Sequence, residues 1–281
     1  MMRLRIEHTT GFAYPGEVSA SYNEARMLPV STENQFVLSS SLDIEPSTSV
    51  NQYVDYFGTR VASFDVLSGH TALGITARSL VEVRPRPMEN SDMAWEDLAV
   101  EAQRSITTVE MLAQTPRTAP HPEVLELART IVQEHDNPGQ AARAIAVAVG
   151  DAVEYVYGST GVHSTAAESW EKRSGVCQDM AHITLGALRA VGIPARYVSG
   201  YLHPDPDAEV GVAVVGESHA WVEWFAGDWH GFDPTNNVDI GERHVLVGRG
   251  RDYNDVPPLR GVYAGALTSD LHVQVTITRE A

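Results

Sequence analysis

The chain has 281 residues, 43% of them hydrophobic and 20% charged, which suits a soluble globular protein long enough for two domains. Its formal charge of −17, from 20 basic and 37 acidic residues, would repel a polyanion and sets aside nucleic acid and anionic membrane surfaces as partners. No run approaches the roughly 18 uninterrupted apolar residues of a membrane span, no secretory leader is visible, and one cysteine cannot form an internal disulfide, so a cytoplasmic location is expected.

Residues 1–10 alternate apolar and charged side chains (Leu4 and Ile6 against Arg3, Arg5 and Glu7) and read as a strand. Strand-like text continues to Val83, with runs at 52–57, 61–67, 73–77 and 80–83 separated by turn residues such as Gly58 and Ser68-Gly69. Short strands at this spacing predict a β-sandwich-like domain over residues 1–90. Arg84-Pro85-Arg86-Pro87 then breaks any ladder and begins a linker.

Helical patterning takes over near Trp95 and is clearest over 122–134. Asn137-Pro138 supplies an N-cap and a first-turn proline to the next helix, whose apolar face runs Ala142, Ile145, Ala146, Val149, Val153. Thr165-Ala166-Ala167-Glu168 reads as a capping box for a short helix carrying Trp170. A further helix starts near Cys177, with Met180, Ile183, Thr184, Ala187, Leu188 and Val191 as its buried face and Gly192 and Pro194 as its stop. Strands return at 196–202, 210–215, 220–225 and 229–232, with a final alternating run at 272–278. The fold class is therefore α+β, with residues 91–281 forming a second domain of helices on a mostly antiparallel sheet, its C-terminal strands included.

Cys177, the one cysteine, sits in Gly175-Val176-Cys177-Gln178-Asp179 at the head of its helix. A free thiol titrates near about 8.5 and is a weak nucleophile at neutral pH; a helix N-terminus and a nearby imidazolium both favour the thiolate. Two later residues offer such help, His219 and Asp233, on what read as neighbouring strands. If Ala226-Gly227-Asp228 is a three-residue hairpin loop, Phe225 faces Trp229 and Asp233 lies opposite Trp221, which shares a face with His219. A two-residue loop would send Asp233 to the other face.

Each residue alone has an ordinary structural reading: a small buried apolar cysteine, a strand-end histidine, an Asp-Pro turn. Their conjunction, in order and on compatible elements, favours a nucleophilic thiol site. Zinc binding by Cys177, His182, His219 and His230 is the competing use, but their spacing fits no compact metal motif. No metal or organic cofactor is expected.

Gly-Val-Cys-Gln-Asp-Met-Ala-His at 175–182, Ser-His-Ala-Trp-Val-Glu at 218–223 and Gly-Phe-Asp-Pro-Thr-Asn at 231–236 resemble the three blocks of the transglutaminase-like superfamily, in particular its bacterial cysteine-peptidase branch. Tyr53 to Gly58 resembles the β-rich region preceding that core, and 251–258 resembles its C-terminal block. The resemblance implies a papain-like core with Cys177 as nucleophile, His219 as general base and acid, and Asp233 as its orienter. It implies attack on an amide carbonyl, an acyl-thioester intermediate, and the Cys177 N–H as an oxyanion donor. Trp170, Gln178 and Trp221 are candidates for the substrate cleft; Gln178 follows the nucleophile, whereas the glutamine of papain-type enzymes precedes it, so that oxyanion role is not transferred. The expected partner is a peptide or protein substrate. Hydrolysis of a peptide or isopeptide bond is the leading expectation. Acyl transfer from a glutamine side chain to an amine, and peptide binding without chemistry, are the alternatives.

Overall fold

Period-two patterning produces six strands before the first helix: β1 (Met2–Val18), β2 (Ala20–Ala25), β3 (Gln35–Glu45), β4 (Val50–Val54), β5 (Arg60–Val66) and β6 (His70–Val83). The computed structural model describes residues 1–85, 92–265 and 268–281, so the segment from Arg86 and the expected boundary at residue 90 lie outside the described residues. The expected runs at 73–77 and 80–83 are one long strand, β6. Next come α1 (Trp95–Arg104), α2 (Ile106–Val109), α3 (Pro122–Gln133), α4 (Pro138–Ala152), β7 (Glu154–Tyr155), α5 (Ala166–Lys172), β8 (Ser174–Gly175) and α6 (Cys177–Ala190). The chain finishes with β9 (Ala195–Leu202), β10 (Ala213–Gly216), β11 (Ser218–Phe225), β12 (Trp229–Asp233), β13 (Val238–Asp239), β14 (His244–Gly250), β15 (Leu259–Ala264) and β16 (Asp270–Arg279). Among the described residues no helix is long and apolar enough to cross a membrane.

The helix starts follow local chemistry. Asn137 Oδ1 accepts the N–H groups of Gly139 and Gln140 at the head of α4, and Thr165 and Glu168 form the reciprocal capping box of α5. Both satisfy donors that the first turn leaves without an intrahelical acceptor.

Three sheets organise the molecule, in the orders β10-β16-β1-β6-β3, β15-β2-β5-β4 and β13-β12-β11-β9-β14. The even residues of β1 and the odd residues of β6 line one face. On one half of it Tyr14, Leu73, Ile75 and Ala77 meet Phe64 and Val66, closing a sandwich. On the other half Leu4, Ile6, Val81 and Val83 meet Tyr201, Val245 and Val247 of the third sheet. Polar groups fill the seam between the halves. Tyr201 donates its hydroxyl hydrogen to Met27 O (2.8 Å) and lies 2.9 Å from His8 Nδ1, while Thr10 Oγ1 lies 3.2 Å from His8 Nε2. Burial lowers His8 to about 4, so its ring is neutral: Nδ1–H donates to Tyr201 and Nε2 accepts from Thr10.

The C-terminal strands do not stay with the helical core as expected. β15 pairs with β2, and β16 pairs with β1 from Leu4↔Arg279 to Ala13↔Asp270. Val275 and Ile277 of β16 are buried in the cluster around Leu4 and Ile6, so that apolar strand completes the N-terminal sheet.

Within the core, α6 is buried on every side from Gln178 to Arg189. Polar members of such a helix need partners. Arg189 finds them by donating to Ala195 O (3.0 and 2.8 Å), Arg251 O (2.7 Å) and Thr118 Oγ1 (3.2 Å). Ala220, Val222 and Trp224 of β11 pack into this helical core, leaving His219 and Trp221 on the opposite face.

Gly200 of β9 lies between His219 and Leu246 on the flanking strands. A Cβ there would stand 2.1 Å from Val245 O and 2.5 Å from the Trp221 ring. Gly200→Ala should therefore destabilise the protein by about 1–3 kcal/mol through overpacking, read as a lowered Tm; an unchanged Tm would show that the β14 backbone and Trp221 both give way.

Candidate active site

α6 begins at Cys177 because its preceding residues are held extended and capped from below. Asp179, fully buried, accepts the Val176 N–H (2.8 Å) and the hydroxyls of Thr160 (2.5 Å) and Ser169 (2.9 Å). Gly175 makes this possible, since a Cβ there would lie 2.7 Å from that of Asp179. The part-buried Cys177 side chain thus stands at the positive end of a 14-residue helix. The N–H groups of Cys177 and Gln178 are first-turn donors without intrahelical acceptors.

The histidine and carboxylate arrive on the hairpin of β11 and β12. Its loop is the three residues Ala226-Gly227-Asp228, with Gly227 at φ 89° and an Ala226 N–H to Asp228 O bond of 3.0 Å. The register runs Phe225↔Trp229 to Val222↔Phe232, as the three-residue loop requires. Trp221 and Asp233 come next in that register, and His219 lies two residues farther along the same face. His219 Nε2 and Asp233 Oδ2 are 2.7 Å apart.

Asp233 has no exposed surface, so its charge depends on what surrounds it. Oδ1 accepts the N–H groups of Thr235 (3.0 Å) and Asn236 (3.3 Å); Oδ2 accepts Asn236 Nδ2 (2.7 Å) besides His219. α4 presses on this turn through Gly150, where a Cβ would fall 2.3 Å from Pro234 O. Burial works to raise the Asp233 carboxyl, but the bonds from its histidines and Asn236 hold it well below the usual carboxylate range. Burial likewise works to lower His219, yet the bond to Asp233, interaction with the Cys177 side chain and both partners' charges raise it to about 10. Because Nε2 is committed to Asp233, Nδ1 is the ring nitrogen left for Cys177.

One partner of this cluster was not anticipated from sequence. His244, at the start of β14, places Nε2 3.4 Å from Asp233 Oδ2 while its Nδ1 accepts the Gly241 N–H (3.2 Å). That acceptor role fixes the tautomer: the hydrogen sits on Nε2 and points at Asp233. Burial keeps this histidine below its ordinary value despite the carboxylate. Only the register of β14, far along the chain, brings it here, although its place at the head of an apolar run was a usable signal.

The other expected site residues are placed differently. Trp170 is 3% exposed, and its indole donates to Glu123 Oε2 at 3.0 Å beneath the Arg173 guanidinium, so it belongs to the core and not to a cleft wall. Trp221 is buried against the rings of His219 and His244 and supports them from below. Gln178 is almost wholly buried beside Cys177. His182 is buried, lowered to about 3 by that burial and by nearby Arg117 and Arg189, and accepts the Tyr253 N–H at 3.2 Å. His230 stacks on Trp224, and neither it nor His182 joins Cys177 in a ligand set. Among the described residues, the group whose donor atoms converge is His219, Asp233 and His244, all within 4.8 Å. Tetrahedral ligands at about 2.0–2.2 Å from a zinc ion would stand about 3.3–3.6 Å apart. The 2.7 Å contact between His219 and Asp233 is instead the spacing of a charge-assisted hydrogen bond.

Chemically, an imidazole between a carboxylate and a thiol can hold one proton on Nε2 and exchange another at Nδ1.

The chain is similar to known proteins along its whole length. Residues 4–82 match the bacterial transglutaminase-like N-terminal region and residues 125–234 match the transglutaminase-like superfamily. The chain is 42% identical over 285 residues to an uncharacterised protein of Mycobacterium leprae, covering 100% of both. A 102-residue stretch, 32% of this chain and 15% of its relative, is 33% identical to a protein-glutamine gamma-glutamyltransferase of Pseudomonas aeruginosa. Among solved structures, a protein of Cytophaga hutchinsonii provisionally described as a cysteine protease superposes with a TM-score of 0.77 at 21% identity, over 99% of this chain and 97% of the other. At that identity the likeness speaks for the fold.

With His219 raised to about 10, its ring should be doubly protonated at pH 8 by histidine-labelled NMR. Cys177→Ala removes one raising partner and should lower the midpoint. A neutral His219 ring at pH 8 would contradict the ion-pair description. A chelator should leave alkylation of Cys177 unchanged; loss of reactivity would instead place a metal on the two histidines.

Proposed function

The chain belongs to the transglutaminase-like superfamily, and on that premise we propose a thiol enzyme that opens peptide or isopeptide amide bonds through an acyl-thioester, with water as the acceptor. The observation that carries the proposal is the His219 ring, held by Asp233 through one nitrogen and interacting with the Cys177 side chain.

In this mechanism the Cys177 sulfur attacks the amide carbonyl as its proton rests on His219. The negative charge that develops on the carbonyl oxygen meets the Cys177 N–H and the end of the α6 dipole. His219 then gives its proton to the departing amine, leaving the thioester and a neutral imidazole. Water enters, loses a proton to His219, and attacks the thioester; the acid leaves and the thiolate–imidazolium pair is restored. Asp233 keeps its charge throughout, fixing the ring's orientation and stabilising the imidazolium. His244 and Asn236 hold Asp233 in turn.

Acyl transfer is the second reading, favoured by the partial similarity to a protein-glutamine gamma-glutamyltransferase. It shares every step up to the thioester and differs in that an amine, not water, completes the reaction. One peptide panel assayed for hydrolysis and for incorporation of a labelled amine separates the two.

Cys177→Ser and His219→Ala should each cost about 10²–10⁴-fold in turnover, and the double variant little more, because the two act as one unit. Asp233→Asn should cost less than His219→Ala, its role being orientation. Wild-type turnover in Cys177→Ser would end the proposal. Alkylation by iodoacetamide, read by intact mass, gives a second measure that needs no substrate, and His219→Ala should slow it at neutral pH.

A further inference from the structure

The nucleophile's neighbourhood contains a carboxylate and two aromatic rings that the mechanism does not use. β7 pairs in parallel with β8, placing Tyr155 beside Gly175, two residues before Cys177. The Tyr155 hydroxyl donates to Glu217 Oε2 at 3.3 Å. Glu217 immediately precedes β11, two residues before His219. Tyr155 is 44% exposed and Tyr157 81% exposed, and Glu217 is exposed. These groups sense one another: burial, the charge of Glu217 and the charge of Cys177 push the Tyr155 hydroxyl up to about 12, with Tyr157 contributing.

Glu217 is unusual among the acidic residues near the site. Asp179 and Asp233 are buried and saturated with donors. Glu217 has a tyrosine hydroxyl and, among the described residues, no arginine, lysine or histidine in ion-pair range. A carboxylate lacking a counter-ion, bonded to one part-exposed tyrosine with a second exposed tyrosine two residues along, is an arrangement that attracts an organic cation, through charge and through the ring quadrupoles together.

We propose that Tyr155, Tyr157 and Glu217 form a subsite that holds an alkylammonium group of the substrate next to the carbonyl attacked by Cys177. The subsite rests on the reading of Cys177 as nucleophile, and adds to it the charge of the substrate. It would favour amides bearing a cationic group near the reacting bond over neutral or acidic ones. Tyr155 also tethers Glu217 through its hydroxyl, from the strand that runs beside Gly175.

The lone cysteine makes the test independent of any known substrate. Cys177 is treated in turn with the trimethylammonium-ethyl and the sulfonato-ethyl methanethiosulfonates; each forms a mixed disulfide with the thiolate and releases methanesulfinate. Neutral iodoacetamide reports thiol reactivity without charge. After normalising to glutathione, the cationic reagent should react at least about tenfold faster than the anionic one, and Glu217→Gln should cut that ratio about fivefold. Glu217→Gln should leave the iodoacetamide rate within about twofold, showing that the nucleophile is intact. Glu126→Gln, the same charge change on exposed α3, controls for the field of the acidic protein and should leave the ratio unchanged. A ratio insensitive to Glu217→Gln, or equally sensitive to Glu126→Gln, overturns the subsite while the nucleophile stands. A Cys177 inert to all three reagents overturns both.

Discussion

A carboxylate with no access to water sits at the centre of this molecule, and it can stay ionised only if its surroundings replace that water. Asp233 takes two backbone N–H groups, an asparagine amide and two histidine ring nitrogens. An unpaired buried charge costs several kcal/mol or more, so each partner's place is constrained in turn. The three-residue hairpin loop fixes the parity that brings His219 across. The turn at Pro234 needs the bare Cα of Gly150 behind it, and the Gly241 N–H decides which nitrogen of His244 carries hydrogen. The thiol end is built by the same rule. Asp179, also buried, is satisfied by Val176, Thr160 and Ser169, and its bonds set where the helix under Cys177 begins. Two buried carboxylates, one beneath each end, hold the distance between sulfur and imidazole.

Around that centre the architecture is a sharing of surfaces. The sheet containing β1 and β6 uses one half of a face for a sandwich and the other half as a platform for the sheet that carries His219. The seam is polar, and Tyr201 bridges it from β9, the strand paired with β11. The N-terminal region is therefore part of the foundation of the site through continuous packing. Movement of one sheet against the other would break the bonds of Tyr201 with Met27 and His8, each buried and each expensive to leave unmade.

Much of this was legible in the sequence wherever the physics was local. Proline after Asn137, the Thr165–Glu168 box, and Gly192 after the last apolar turn of α6 marked helix ends, because caps are decided within a few residues. Strand parity leaves the hairpin only two options in the sequence, and the three-residue loop found in the structure chooses the one that puts Asp233 and His219 on one face. What depended on distant pairing was not legible. The run at 272–278 reads as a half-buried strand, but nothing in its alternation says that its partner is β1. His244 reaches Asp233 only through the register of β14 on β9. Trp170 reads from sequence as a candidate for the cleft, but its indole N–H has its acceptor in Glu123, which lies in a different helix. Glu217 and Tyr155 are 62 positions apart, and neither stands out until β7 is seen beside β8.

The pairing of β1 with β16 also sets an order of events in time. Arg5 and Glu280 meet across 275 positions of sequence, and at about 5–20 residues per second their synthesis is separated by roughly 15–55 s. Strand β6 emerges early and can pair with β1 on one edge, with β3 beyond it, but the other edge of β1 stays open until β16 leaves the ribosome. During that interval Leu4 and Ile6 lack Val275 and Ile277, and the platform under β9 is incomplete. A nascent chain thus carries its cysteine before it carries the finished support for its histidine, and the platform beneath the sheet that holds His219 is complete only after translation has passed the last strand.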